Sequence, residues 1–441
     1  MTRKDTFTIG FMLFALFFGA GNLIYPPELG IQAGTSFWPA ILGFILTGVG
    51  LPIVGVAAIA LVSDDAKALG SRVHPVFGLV FTAVIYLAIG PFFGIPRAAN
   101  VAYEMGVMPV IVSGGTMALF LFSVVFFAIV LFVSLNPSKI VDRIGQWLTP
   151  ALLIAIVALC IASFFQFDAP LQSPETTYTT APFFKGFVNG YLTMDAIAGL
   201  AFGIIVVTAL KDRGVTEKKS VFKQTLKVGA VTATGLAVVY TSIGWMGAKL
   251  ATFGSFEGGA DILSAGASHL FGSFGAILLG VIVALACFTT CVGLTVACSQ
   301  FFSNTFSGLK YSHVAVGVTI VSFLVTNLGL SQIISYSVPV LYFIYPLAIV
   351  LIVLSFFHNA FNGSSYVYRG ALLLTSFFSL YSGLSAAKLT WAPLQSALSI
   401  FPLFEEGLGW IVPALIGAGL GYLLDRSRRN SKYVAATKNA S

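Results

Sequence analysis

The sequence predicts an all-α polytopic membrane protein of about twelve transmembrane helices. Three observations carry this. Of 441 residues, 57% are hydrophobic and only 9% charged, where a soluble domain carries about 25% charged residues, so no water-facing surface can be built over most of the chain. Apolar runs long enough to cross about 30 Å of hydrocarbon recur with short polar breaks. The basic residues cluster in alternate breaks, as topology in a bilayer requires.

The runs fall at 8–33, 37–62, 76–100, 116–135, 144–165, 184–209, 224–248, 270–303, 313–328, 332–357, 366–385 and 408–425. The first opens with "MTRKDTFTIG", a basic start with no small-residue cleavage site after its apolar run, so it reads as a retained span and not a signal peptide. The eighth run is long and the ninth short, which makes their border the least sharp. With the amino terminus in the cytoplasm, all but four of the 23 Lys and Arg fall in inward connections, Lys139 and Arg143 among them. Arg97, Lys185, Lys249 and Lys388 fall outward. Both termini are therefore expected in the cytoplasm, which fits an even number of spans. "LKDRGVTEKKS", between the sixth and seventh runs, reads as an anchor at the anionic leaflet. The tail "DRSRRNSKYVAATKNAS" reads as an anchor followed by disorder.

The net charge of +7 would raise nucleic acid as a partner for a soluble protein. Here its distribution marks the lipid bilayer as the partner, and no nucleic acid is expected. Cys160, Cys287, Cys291 and Cys298 all lie in apolar runs and read as small core residues without disulfides. His74, His269, His313 and His358 sit at or near run ends. No cofactor-bearing cluster and no HExxH or GxSxG with partners appears, so the chain does not read as an enzyme. The sequence carries no reading of oligomeric state.

Two runs are interrupted. The first carries "FFGAGNLIYPP", with Gly19, Ala20, Gly21 and Asn22 near its middle and Pro26 expected in the first turn of the restarted half. The sixth carries Gly199 and Gly203, where a second break is expected. The two runs stand five apart. An odd offset reverses orientation in the membrane, so the pair reads as an inverted repeat with substrate and ion at the midplane. An unwound turn facing lipid would cost several kcal/mol per free backbone group, so these breaks require protein, water or a ligand as partner. A restarting half-helix offers N–H groups and about half a positive charge to a carboxylate. A stopping half-helix offers carbonyls to a cation or an ammonium. Such a pair can hold both ends of a zwitterionic amino acid.

In the eighth run, Thr289 and Thr290 are adjacent hydroxyls beside Ala286. A helical threonine commonly bonds back to its own i−4 carbonyl, but two together can also offer hard oxygens to a cation. Asp195 and Glu28 lie near membrane depth, where a carboxylate is a functional candidate. Asp195 could ease cation entry, carry a proton, or cap the second break. Glu28 reads as a gate or as a rim pair with Arg97, which could equally snorkel to the headgroups.

"FALFFGAGNLIYPPELG" and "TMDAIAGLAFG" resemble the bacterial branched-chain amino acid:cation symporters, and the likeness spans essentially the whole chain. The resemblance implies the leucine-transporter fold: five helices repeated in inverted orientation (1–165 and 184–357) and two further helices with the tail (358–441). It implies a sodium site built from Ala286, Thr289 and Thr290 with the backbone carbonyls of Ala15 and Phe18. A second sodium would need a threonine where this chain has Ile197, so one site is expected and the second is doubtful. The implied function is sodium-driven uptake of leucine, isoleucine and valine across the bacterial cytoplasmic membrane. The carboxylate would meet N–H groups around Ala20, Gly21 and Asn22, with Gly19 opening the turn. The ammonium would meet carbonyls near Gly199 and Phe202, beside Gly203, and Phe202 and Tyr86 would face the aliphatic side chain. A proton-coupled carrier of neutral amino acids working through Asp195 stands as the alternative. Paired midplane breaks favour alternating access over a channel.

Overall fold

The computed structural model describes residues 1–62, 66–111, 115–135, 153–159, 161–166 and 168–438. Lys139, Arg143, the first part of the fifth run and Cys160 lie outside the described residues. Within them every regular element is helical, because backbone polar groups in hydrocarbon must be satisfied inside their own segment.

The first run folds as α1 (Arg3–Phe17) and α2 (Ala20–Ala33), parted at Phe18 and Gly19. The second is α3 (Phe37–Ile45) and α4 (Leu51–Val62), joined by a wide helical turn. A short α5 (Ala66–Ser71) leads to α6 (Pro75–Leu87) and α7 (Gly94–Gly106). Between these two, Gly90 leaves helical geometry, so the third run is also interrupted, which its apolar pattern does not reveal. α8 (Thr116–Leu135) follows, then α9 (Leu153–Gln166), described on either side of Cys160. The sixth run is α10 (Pro182–Asn189), a tight turn, and α11 (Asp195–Lys211), which meet at a bend of 49°. α12 (Lys218–Leu250) is continuous. α13 (Gly259–Thr305) kinks at Gly272, whose φ of 69° suits a residue without Cβ. Beyond the kink it matches the eighth run, and before it lies an arm the sequence reading missed. α14 (Tyr311–Thr326), α15 (Leu330–Phe356), α16 (Ser365–Ala386), the short α17 (Ala392–Leu398) and α18 (Ile411–Lys438) complete the chain. The tail expected to be disordered continues as helix to Lys438. Among the described residues six helices are long and apolar enough to cross a bilayer, or seven with the bent pair counted as one.

The packing exchanges partners between the two interrupted spans. Both halves of the first lie against α12, in the seventh run. The halves of the sixth lie against α3 and α4, in the second run. A two-fold relation that swaps the first run with the sixth and the second with the seventh maps one pairing onto the other. The same relation swaps the third run with the eighth, and α7 indeed packs on α13. Each crossing is a glycine contact. A Cβ on Gly30 would land on the Gly244 carbonyl, and one on Gly247 on that of Pro27. Likewise a Cβ on Gly43 would meet the Phe183 carbonyl, and one on Gly186 that of Ala40. Small residues let helix backbones touch where lipid supplies no hydrophobic drive, and the breaks are pinned at fixed depth as a result.

Candidate functional site

The first break begins where the helical ladder stops. Phe18 N–H still reaches the Phe14 carbonyl at 2.7 Å. Gly19 N–H turns instead to Asn22 Oδ1 at 3.3 Å, which releases the Ala15 carbonyl from the partner a continuous helix would give it. Gly19 has φ −124°, an extended value open to any residue. Gly21 is needed for space: a Cβ there would stand 2.6 Å from Arg97 Nη2. Pro26 falls in the second turn of the restarted half, not the first, because α2 begins already at Ala20.

The second break lies upstream of its expected place. Gly199 and Gly203 sit inside regular α11, where they serve contact with α4: a Cβ on Gly199 would approach Pro52 O at 2.6 Å, and one on Gly203 the Ile59 side chain at 2.6 Å. The chain breaks at Met194, which adopts φ 68° without being glycine. Such a conformation is strained for a side-chain-bearing residue and is held by its surroundings. Thr193 Oγ1 accepts from Asp195 N–H at 3.3 Å. Arg97 Nη1 donates to the Leu192 carbonyl at 2.6 Å and Nη2 to that of Thr193 at 3.2 Å. Glycine does not make this break; Met194 turns the chain and an arginine on another helix holds the freed carbonyls.

Arg97 is therefore neither a rim residue nor a snorkelling one. It is 4% exposed, its Nη1 also donates to Tyr25 Oη at 3.3 Å, and its guanidinium lies 5.5 Å from the Tyr25 ring centre. Glu28 does not pair with it; the Glu28 side chain accepts from Gln32 Nε2 at 3.5 Å. Asp195 does not cap N–H groups as an N-cap would. Its carboxylate accepts from Asn22 Nδ2 and from Tyr240 Oη, the latter at 3.1 Å, while Asn22 Nδ2 also donates to Tyr240. The side chain of one break thus grips the first residue after the other. Tyr240, on α12, was not legible as a site residue because one tyrosine in a long apolar run carries no local signal.

The cation candidates come together at the first break. Thr289 and Thr290 Oγ1 donate to the Ala286 carbonyl at 2.8 and 3.1 Å, so three oxygens converge on one point of α13. Gly19 lies against Thr290: a Cβ there would stand 3.6 Å from Thr290 Cγ2. Ala15 and Phe18 stand at the carboxyl end of α1, immediately before Gly19. An all-oxygen set without formal charge suits a small hard cation of single charge. Phe202 packs on Phe17 at 5.8 Å between ring centres, which places an apolar wall beside the first break. Tyr86 stacks on Phe301 at 4.3 Å.

A family model described as branched-chain amino acid transport protein matches residues 2–428. The chain is 46% identical over 424 residues to the branched-chain amino acid permease BraB of Bacillus subtilis, covering 96% of this chain and 95% of that one. It is 42% identical to the branched-chain amino acid transport system 2 carrier protein of Pseudomonas aeruginosa, with 96% of each covered. Among solved structures, inward-facing Mhp1 aligns with TM-score 0.65 at 13% identity, over 96% of this chain and 91% of that one. MhsT in complex with L-phenylalanine aligns with TM-score 0.57 at 16% identity, over 96% and 98%. At these identities the solved structures show the fold, a leucine-transporter fold with its first and sixth spans broken.

Proposed function

Because the chain belongs to the family of branched-chain amino acid transport proteins, which are carriers and not enzymes, we propose that it imports leucine, isoleucine and valine with sodium by alternating access. The observation that carries this reading is the Asn22–Asp195 hydrogen bond, which joins two backbone breaks 173 residues apart at one buried point. The substrate carboxylate lies at the N–H groups of Ala20, Gly21 and Asn22. The ammonium faces the carbonyl end of α1 and the Asp195 carboxylate, since the carbonyls of Leu192 and Thr193 are already taken by Arg97. Phe202, packed on Phe17, bounds the aliphatic side, whereas Tyr86 meets Cys298 and Phe301, about two to three turns along α13 from Thr290. One sodium binds between Ala15 and Phe18 on one side and Ala286, Thr289 and Thr290 on the other. It bridges the first and eighth spans, so its affinity differs between arrangements of those spans, and this difference is the coupling. The carrier lies in the bacterial cytoplasmic membrane with both termini in the cytoplasm. Its repeats are 1–165 and 184–357, with 358–441 appended.

Proton coupling through Asp195 is the second reading, favoured by the burial of that carboxylate beside Asn22 and Tyr240 with no basic side chain among the described residues hydrogen-bonded to it. Radiolabelled leucine uptake into proteoliposomes separates the two. A sodium gradient at equal pH drives accumulation under the first, and a pH jump without sodium drives it under the second. Accumulation under neither gradient removes both.

A further inference from the structure

The Arg97 guanidinium is a full charge inside the membrane core, 4% exposed. Among the described residues no carboxylate forms an ion pair with it, and the pair found is Arg213 with Asp5 at the surface. Asp195 lies within electrostatic reach but is bonded to Asn22 and Tyr240. Two carbonyls and one phenol hydroxyl engage its Nη atoms, while Nε is buried with no hydrogen-bond partner among the described residues. A buried charge-bearing donor left open is costly, and such groups in a membrane core mark ligand sites. Nη2 abuts Gly21, whose lack of a side chain leaves the guanidinium beside the first turn of α2. That turn presents N–H groups and the positive end of a helix dipole. An anion placed there meets both the helix start and the arginine fork.

We propose that Arg97 binds the substrate carboxylate directly and is the residue that restricts transport to free α-amino acids. This rests on the amino acid carrier reading above. Arginine presents its donors in a planar fork that matches a carboxylate. The backbone N–H groups alone would also accept a neutral carbonyl oxygen, so a permanent cation separates an acid from its amide. A site built to pair a charge rejects the analogue that lacks it, because its own groups are left unpaired.

The test is equilibrium binding to the purified full chain in detergent with sodium present, using leucine, leucinamide and leucinol. The wild type is expected to bind leucine and to bind both analogues at least about 30-fold more weakly, the low end of what truncating a buried charge pair removes. In Arg97→Gln the lost caps on the Leu192 and Thr193 carbonyls weaken all three ligands alike, while leucine alone also loses the charge partner, so the ratio collapses towards one. Arg97→Lys should keep part of the ratio. Arg97 acting only by capping the Leu192 and Thr193 carbonyls would weaken all three ligands alike and preserve the ratio, which overturns the proposal. Should Arg97→Gln not fold, Gly21→Ala gives the same reading, since its Cβ would displace Nη2 from 2.6 Å. There too a preserved ratio overturns the proposal and a collapsed one supports it. A wild type that binds none of leucine, isoleucine and valine refutes the carrier reading itself. A wild type that binds leucine no better than leucinamide and leucinol, or whose preference survives in Arg97→Gln, refutes only the assignment of Arg97.

Discussion

Asn22 is the side chain on which both breaks depend, and replacing it with alanine isolates that dependence. Three bonds go. Gly19 N–H loses its acceptor at 3.3 Å, Asp195 Oδ2 loses one of its two donors, and Tyr240 loses the amide. A net bond between neutral groups is worth about 1 kcal/mol and one to a charged group about 1.5–3 kcal/mol. The long Gly19 contact counts at the low end, so the loss comes to about 3 kcal/mol. If the binding site exists only while the two breaks are held together, this reads as a rise in the leucine Kd of about 100-fold. A single variant cannot separate the link from general damage, so the assay is a double-mutant cycle with Asn22→Ala, Asp195→Ala and the pair, each measured by equilibrium leucine binding. Coupling of about 1.5–3 kcal/mol is expected between residues that share a bond of this kind. Additive losses, with coupling below about 0.5 kcal/mol, would mean that the two breaks do not act through this contact.

Three further outcomes follow from the same geometry. Thr289→Ala or Thr290→Ala should raise the sodium concentration for half-maximal leucine uptake by about tenfold, as expected for one lost oxygen contact to a charge, and unchanged sodium dependence in both would remove them from the cation site. Asp195→Asn should abolish any uptake driven by pH alone and raise the leucine concentration for half-maximal sodium-driven uptake by about tenfold, as expected for one lost contact to a charge, and an unchanged leucine dependence would mean that the carboxylate does not face the ammonium. Gly247→Ala, whose Cβ would land on the Pro27 carbonyl, should destabilise the chain by about 1–3 kcal/mol through forced separation of α2 and α12, read as a lower melting temperature in detergent, and an unchanged value would contradict the close crossing.

How much of this was legible in the sequence depends on whether the signal was local. The spans were readable because hydrocarbon imposes length and apolarity on each segment separately. The first break was readable because glycine, asparagine and proline mark it in one stretch, and Thr289 and Thr290 because they are adjacent. The second break was displaced because glycines at 199 and 203 served helix packing on α4, while Met194 took the left-handed conformation without a glycine to announce it. Arg97 was read as an outward loop charge because nothing in "FFGIPRAAN" says that its head lies against residues 192 and 193. The interruption at Gly90 lies in apolar surroundings, and the arm before Gly272 is short and mixed in polarity, so a count of apolar runs passes over both.

The exchange of helix partners gives the two breaks different chemistry within one symmetric frame. The eighth span stands beside the first break through Thr290 and Gly19. The third span stands beside the sixth through Arg97 and the Leu192 and Thr193 carbonyls. The swap of first with sixth and third with eighth carries one of these contacts onto the other. At one place the facing span brings hydroxyls to the carbonyl end of a half-helix, a set that a cation from solution would complete. At its counterpart the facing span brings a cation of its own, covalently fixed. A frame with two equivalent hydroxyl sets would call for two exchangeable cations. With one position filled by arginine, the frame keeps a permanent positive charge beside the second break and leaves the hydroxyl set beside the first. The two breaks thus differ in the side chains that the facing spans bring to them, hydroxyls of α13 at the first and the Arg97 guanidinium of α7 at the second.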